Sequence, residues 1–208
     1  MSHGSDTRDA FVEAARWAEA VVAAVPDDAW SLPALGEWDL RALVGHTSRA
    51  LSTVRNALAH PAAVEELRGP RAYFLAAASA PAADPEQVRE RGVAAGAGLG
   101  ADPRRAFRDL VSATESELLA VPPDRDPLVT SVAGGIRLNA YLQTRLFELV
   151  VHGLDVCRAI GLRTEVPPLP LREALSLAAD LAADRGAGPE LLLALTGRAP
   201  LPAGFSVL

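Results

Sequence analysis

The sequence predicts an all-α protein built around a four-helix bundle, and three observations carry this. The apolar half of the chain is mostly alanine and leucine, β-branched residues are sparse, and aromatics make up only 5%; Ala and Leu are strong helix formers. Apolar residues recur at three- and four-residue spacing through four long segments. Prolines fall at the ends of those segments, where they stop a helix without breaking one. The length of 208 residues suits one domain with a small appendage.

The first helix spans Ser5 to Val25, with Ser5 or Asp6 as its cap, a stripe through Phe11, Ala14, Ala18 and Val21, and Pro26 as its stop. Pro26 to Trp38 reads as a loop whose tryptophans, Trp30 and Trp38, pack back on the bundle. Asp39 caps a second helix, Leu40 to Leu58, ended by Pro61. Residues 62–101 are rich in Ala, Gly and Pro. They suggest a short helix near Ala72 to Ala80, a break at Pro81 to Pro85, and a helix from Glu86 to Ala97 that Gly92 and Gly96 weaken. Asp102-Pro103 opens a helix running to Ala120, and Pro122-Pro123 ends it. Leu128 to Ile136 is β-like around Gly134-Gly135, a small hairpin or an extended crossing.

The longest helix, Leu138 to Ile160, closes at Gly161. Pro167, Pro168 and Pro170 then read as a stiff linker. Two helices follow, Leu171 to Asp184 and Pro189 to Leu195, with a candidate strand at Phe205 to Leu208. The expected division is a helical body over 1–165 and a short extension over 166–208. The extension is too small to be stable alone, so it should dock on the body.

Several functional classes drop out. The single cysteine, Cys157, excludes a disulfide framework and a Cys-rich zinc site. A net charge of −6 and a pI near 5.2 argue against nucleic acid or an anionic membrane as partner. All 20 basic residues are arginine, which removes Schiff-base lysine chemistry and a P-loop lysine. This Arg-only, Ala-rich composition matches a GC-rich bacterial genome. The polar N-terminus shows no targeting pattern, and no run approaches the ~20 apolar residues of a membrane span. A cytoplasmic protein is expected.

Four histidines are present. His3 lies near the terminus and His60 at a helix end, whereas His46 and His152 sit mid-helix among apolar neighbours. Glu148 precedes His152 by four residues, which puts both on one helix face. Arg145 and Asp155 extend that face into a polar stripe bordered by Leu142, Leu146 and Leu149. His46, Glu148 and His152 could supply three metal ligands and leave a position open, the catalytic pattern for zinc. Asp155 could orient a ligating imidazole, and Arg145 could bind a substrate carboxylate. A salt-bridged stripe with a core histidine is the competing reading, because a bare Glu-x-x-x-His is a weak signal. Cys157 is rotated by about 500° from His152 and does not face the stripe; it reads as a small buried hydrophobe.

Three segments carry a resemblance: Gly36-Glu-Trp38-Asp-Leu-Arg-Ala-Leu-Val-Gly-His46, Arg145-Leu-Phe-Glu148-Leu-Val-Val-His152-Gly-Leu-Asp155, and Leu193-Ala-Leu-Thr-Gly-Arg198. The first resembles the Trp-to-His segment of DinB-like metalloproteins. Together they resemble mycothiol-dependent maleylpyruvate isomerases, most closely their N-terminal metal-binding domain. The resemblance implies a DinB/YfiT-like four-helix bundle with zinc or another divalent ion on His46, Glu148 and His152. It also implies mycothiol as a thiol cofactor, with Arg198 on the cofactor side and Arg145 or Arg198 holding a carboxylate or enolate oxygen. A metal-stabilised thiolate would add to a cis-alkene conjugated to a carbonyl, the bond would rotate, and expulsion of the thiol would leave the trans isomer. The same thiolate could instead stay attached, which is S-transfer. The implied partners are a small electrophile and the thiol, on a monomer or homodimer. The family's isomerases carry a fuller α/β domain after the bundle than residues 171–208 provide. The alternatives are a thiol-independent, metal-dependent isomerase or cyclase, and a non-catalytic bundle that binds a small molecule.

Overall fold

A computed structural model describes residues 3–79 and 84–208. Helix α1 (His3–Ala23) leads through hairpin β1–β2 (Pro33–Leu35, Trp38–Asp39) into α2 (Leu40–Ala59). Then come α3 (Pro70–Ser79), α4 (Pro85–Gly98), α5 (Pro103–Leu119) and hairpin β3–β4 (Leu128–Ser131, Gly134–Arg137). Helices α6 (Leu138–Ala159), α7 (Pro168–Asp184) and α8 (Gly188–Leu195) complete the described chain. The four long amphipathic segments become α1, α2, α5 and α6. They close a ring in which α1 and α2 each touch both α5 and α6. Phe11, Leu43, Leu51, Phe107, Leu142 and Leu149 are fully buried at its centre, so the all-α bundle is the fold observed. No helix among the described residues is long and apolar enough to cross a membrane.

The helix starts follow local chemistry. Asp39 accepts a hydrogen bond from the Ala42 N–H at 2.7 Å, and Asp102 accepts one from Arg105 at 3.0 Å ahead of Pro103. Asp84 does the same for α4. Gly161 ends α6 with φ +66°, a conformation in which a side chain would be strained.

Some expectations need correction. Helix α1 begins at His3, so Ser5 and Asp6 lie inside it rather than at its cap. The stretch read as a loop from Pro26 to Trp38 contains the β1–β2 pair, reversed at Gly36 with φ +55°. Of the two readings of the Leu128 to Ile136 stretch, the small hairpin is the one observed, Leu128–Ser131 pairing antiparallel with Gly134–Arg137. Pro168 and Pro170 belong to the first turn of α7 instead of a linker, because backbone N–H groups there have no intrahelical partner to lose. Phe205 to Leu208 form no strand; the Phe205 N–H closes a turn onto the Pro202 carbonyl. Ala80 and the Pro81 side of the expected break lie outside the described residues. Helix α7 lays Ala174, Leu177 and Leu181 against the bundle through contacts with α6 and α1.

The glycines of α4 are explained by its approach to α2. A Cβ on Gly45 would stand 2.1 Å from the Gly96 nitrogen, and one on Gly96 would stand 2.6 Å from the Arg41 carbonyl oxygen. The two backbones touch, which only glycine allows. A Cβ on Gly98 would meet nothing. Gly45→Ala and Gly96→Ala should therefore each lower stability by about 1–3 kcal/mol through overpacking, while Gly98→Ala should be neutral or stabilising. Thermal melts check this, with a drop of about 2–4 °C per kcal/mol in a chain of this size.

Candidate metal centre

Helix α6 presents Arg145, Glu148, His152 and Asp155 at spacings of three, four and three residues, so successive side chains stack along one face. Helix α2 crosses that face and brings in His46. Nε2 of His152 lies 3.1 Å from Oε2 of Glu148, and Nε2 of His46 lies 3.9 Å from the same oxygen. One ligand-type atom from each of the three falls within 4.8 Å of the others. Donors bound to a single tetrahedral zinc sit about 3.4 Å apart, so small side-chain rotations bring the three into register.

The electrostatics favour a neutral donor on α2. Burial, then the neighbouring His152, lower the His46 pKa to about 4, so its ring keeps a free lone pair at neutral pH. Its Nδ1 is buried without a hydrogen-bond partner. Burial raises the Glu148 pKa, but the His152 hydrogen bond and the Arg145 charge outweigh it and bring the value down to about 2. Burial also opposes charge on His152, yet hydrogen bonds to Asp155 and Glu148 carry its pKa up to about 9. His152 Nδ1–H donates to Oδ2 of Asp155 at 3.2 Å. That bond fixes the ring orientation and leaves Nε2 pointed at Glu148.

The surroundings hold these groups rigidly. The Trp38 ring lies 4.7 Å from the His46 ring, tilted by 34°. Its indole N–H donates to the Arg89 carbonyl at 3.0 Å, and its six-membered ring fills the space a Cβ on Gly92 would need. Trp38 thus packs the entry to α2. On the other side, the buried Arg145 guanidinium sits 5.0 Å from the Tyr73 ring centre and 5.1 Å from that of Tyr141, two cation–π contacts from a pair of rings that themselves meet edge to face at 5.7 Å. Its Nε–H donates to the Thr144 hydroxyl.

His46, Glu148 and Arg145 open onto a cavity of about 790 Å³. Tyr73, Phe74, Ala77 and Val88, all from the stretch between residues 62 and 101, form part of its wall. The structure does not bring every candidate here. Arg198 is exposed in the tail, where its guanidinium donates to the Thr196 carbonyl, and it is not among the cavity-lining residues. Cys157 is buried away from the cavity, with its thiol pKa pushed up by burial. His60 closes α2, with Nδ1 2.7 Å from the Asn56 carbonyl. Sequence reading missed Arg49, Tyr73, Arg91 and Tyr141, all of which line the cavity. Arg49 was findable, since it follows His46 by three residues on the same helix face.

A search of known families finds one match, to the mycothiol maleylpyruvate isomerase N-terminal domain, over residues 10–157. No curated protein and no solved structure matches the chain. The match spans α1 through nearly all of α6 and so takes in His46, Glu148 and His152. The chain belongs to the mycothiol maleylpyruvate isomerase N-terminal domain family.

Proposed function

We propose that this protein is a metal-dependent enzyme that uses a low-molecular-weight thiol, mycothiol, for cis–trans isomerisation or S-transfer on a small electrophile. The observation that carries the reading is the convergence of two imidazoles and one carboxylate beside an accessible cavity. His46, Glu148 and His152 would hold zinc or a related divalent ion, three protein ligands leaving one position open. When bound, such an ion supplies the Lewis acidity that keeps a thiol ionised at neutral pH.

The chain's own residues do the rest. Asp155 holds the His152 tautomer, which makes it a positioning residue. Arg145, packed against the Tyr73 and Tyr141 rings, would present a positive charge to a carboxylate or a developing enolate oxygen. Phe74, Ala77 and Val88 supply an apolar wall that limits water near the reacting centre. Residues 1–165 would form the metal-holding body and 166–208 a docked extension. Arg198 would reach the thiol only through movement of the tail.

Elemental analysis of purified protein tests the ligands. Wild type should carry zinc or a related ion, and His46→Ala, Glu148→Ala and His152→Ala should each lose it. Asp155→Asn should keep the site but weaken metal affinity by about 10–100-fold. Equal metal content in all five proteins would rule out the ligand set. The thiol is tested separately by adding mycothiol to cobalt-substituted protein. A sulfur-to-cobalt charge-transfer band should appear in wild type and not in Glu148→Ala. Its absence from loaded wild type would leave a metal enzyme that works without the thiol.

A further inference from the structure

We propose that the outer face of α8 is the interface of a homodimer, in which two copies of the helix pack antiparallel about a two-fold axis. The helix carries Leu191, Leu192, Leu193 and Leu195, yet none of its residues is buried. Its main neighbour is α7, and Gly188, Leu191 and Ala194, spaced three apart, form its half-buried side. Leu192, Leu193 and Leu195 are 63%, 43% and 74% exposed, and Leu201 beyond the helix is 43% exposed. A helix that is apolar all round is ordinarily buried, and contiguous exposed apolar surface of a few hundred Å² marks an association site.

The helix itself is well closed. Gly197 takes φ +70°, and the Gly197 and Arg198 N–H groups donate to the Ala194 and Leu193 carbonyls at 3.0 and 2.8 Å, the paired bonds of a Schellman end. The leucines are therefore presented on a defined helix and not on a frayed tail.

The charges at its two ends identify the occupant. Glu190 stands in the first turn and pairs with no cation among the described residues. Arg198 stands just past the last turn, where its guanidinium donates to the Thr196 carbonyl. About 12 Å of helix axis separates the two, too far for a pair within one chain. Two copies laid antiparallel and centred near Ala194 bring Glu190 of each against Arg198 of the partner subunit. The contact forms twice, because an isologous interface repeats every pairing. The same centre sets Leu193 of one copy opposite Leu195 of the other. The net charge of −6 makes an anionic membrane surface a poor occupant by comparison. A patch of this extent lies at the small end for protein interfaces, so the dimer is weak, with a Kd on the order of 1–100 µM. The pairing engages Arg198 outside the cavity and is independent of the metal and the thiol.

Sedimentation equilibrium of the purified protein at low salt, from about 1 to 500 µM, makes the test. Wild type should pass from monomer to dimer across this range. Leu192→Glu combined with Leu195→Glu should stay monomeric. Both side chains are exposed, so thermal melts of dilute protein should match those of wild type. Glu190→Arg and Arg198→Glu should each raise the dimer Kd about tenfold or more, since like charges then face each other twice. An equimolar mixture of these two variants should dimerise at close to wild-type affinity, because each positive end then meets a negative one across the axis. Mixing could not restore a pair made within one chain. The proposal is overturned if wild type stays monomeric throughout, which would leave the face to a different protein. It is also overturned if the dimer survives the leucine substitutions, or if the mixture is no more dimeric than either variant alone.

Discussion

Glu148 keeps a full negative charge between α2 and α6, and much of the architecture answers to that requirement. An ionised carboxylate taken out of water costs several kcal/mol unless charged partners and hydrogen bonds replace its hydration. Here Arg145 and His152 flank it on the same helix, one turn to either side, while His46 faces it from α2. This fixes the rotation of α6. The face with residues 145, 148 and 152 must turn toward α2 and the cavity, which leaves Leu142, Leu146 and Leu149 to fill the core. The rotation of α2 is set in the same way, since His46 and Arg49 must face inward along with Leu43 and Leu51.

A second layer holds this arrangement in place, and it runs through residues with no chemistry of their own. Gly45 and Gly96 let α2 and α4 meet backbone to backbone. That contact brings Gly92 under the Trp38 ring and the Arg89 carbonyl to its indole N–H. Trp38 then braces His46. A short hairpin, a glycine-bearing helix and one indole thus determine where a single imidazole stands. The opposite wall is aromatic, with Tyr73 touching Phe74 and Tyr141, and Phe74 touching Phe147. It joins α3 to α6 and closes the cavity around Arg145.

The bundle was legible because its signals are local. Stripes at helical spacing, Asp39 and Asp102 as caps, and Gly161 as a stop all act within a turn or two of themselves. The stripe on α6 was legible for the same reason, and His46 stood out beside it as a mid-helix histidine among apolar neighbours. What sequence reading missed depends on contacts between distant segments. Gly92 and Gly96 look like helix breakers until the Trp38 ring is seen against the first and α2 against the second. Pro168 and Pro170 look like a linker because propensity does not say where a first turn begins. The cavity arginines come from α2, α4, α6 and the end of α7, and no spacing rule joins residues so far apart in the chain. Arg198, placed by motif alone, lies exposed on the tail, where it donates to the Thr196 carbonyl two residues away.

The composition of the cavity wall has a chemical consequence. Among the described residues the lining includes no thiol, the only cysteine being buried elsewhere, and the chain has no lysine. Its positive charge comes from guanidinium groups, which stay protonated and are poor nucleophiles at physiological pH. The one imidazole on the wall directs its Nε2 at Glu148. A reactive alkene or carbonyl compound held there meets charge, hydroxyl groups and aromatic faces, but few atoms able to form a lasting bond with it. A wall of this composition would spare the protein covalent self-inactivation if its ligand were an electrophile.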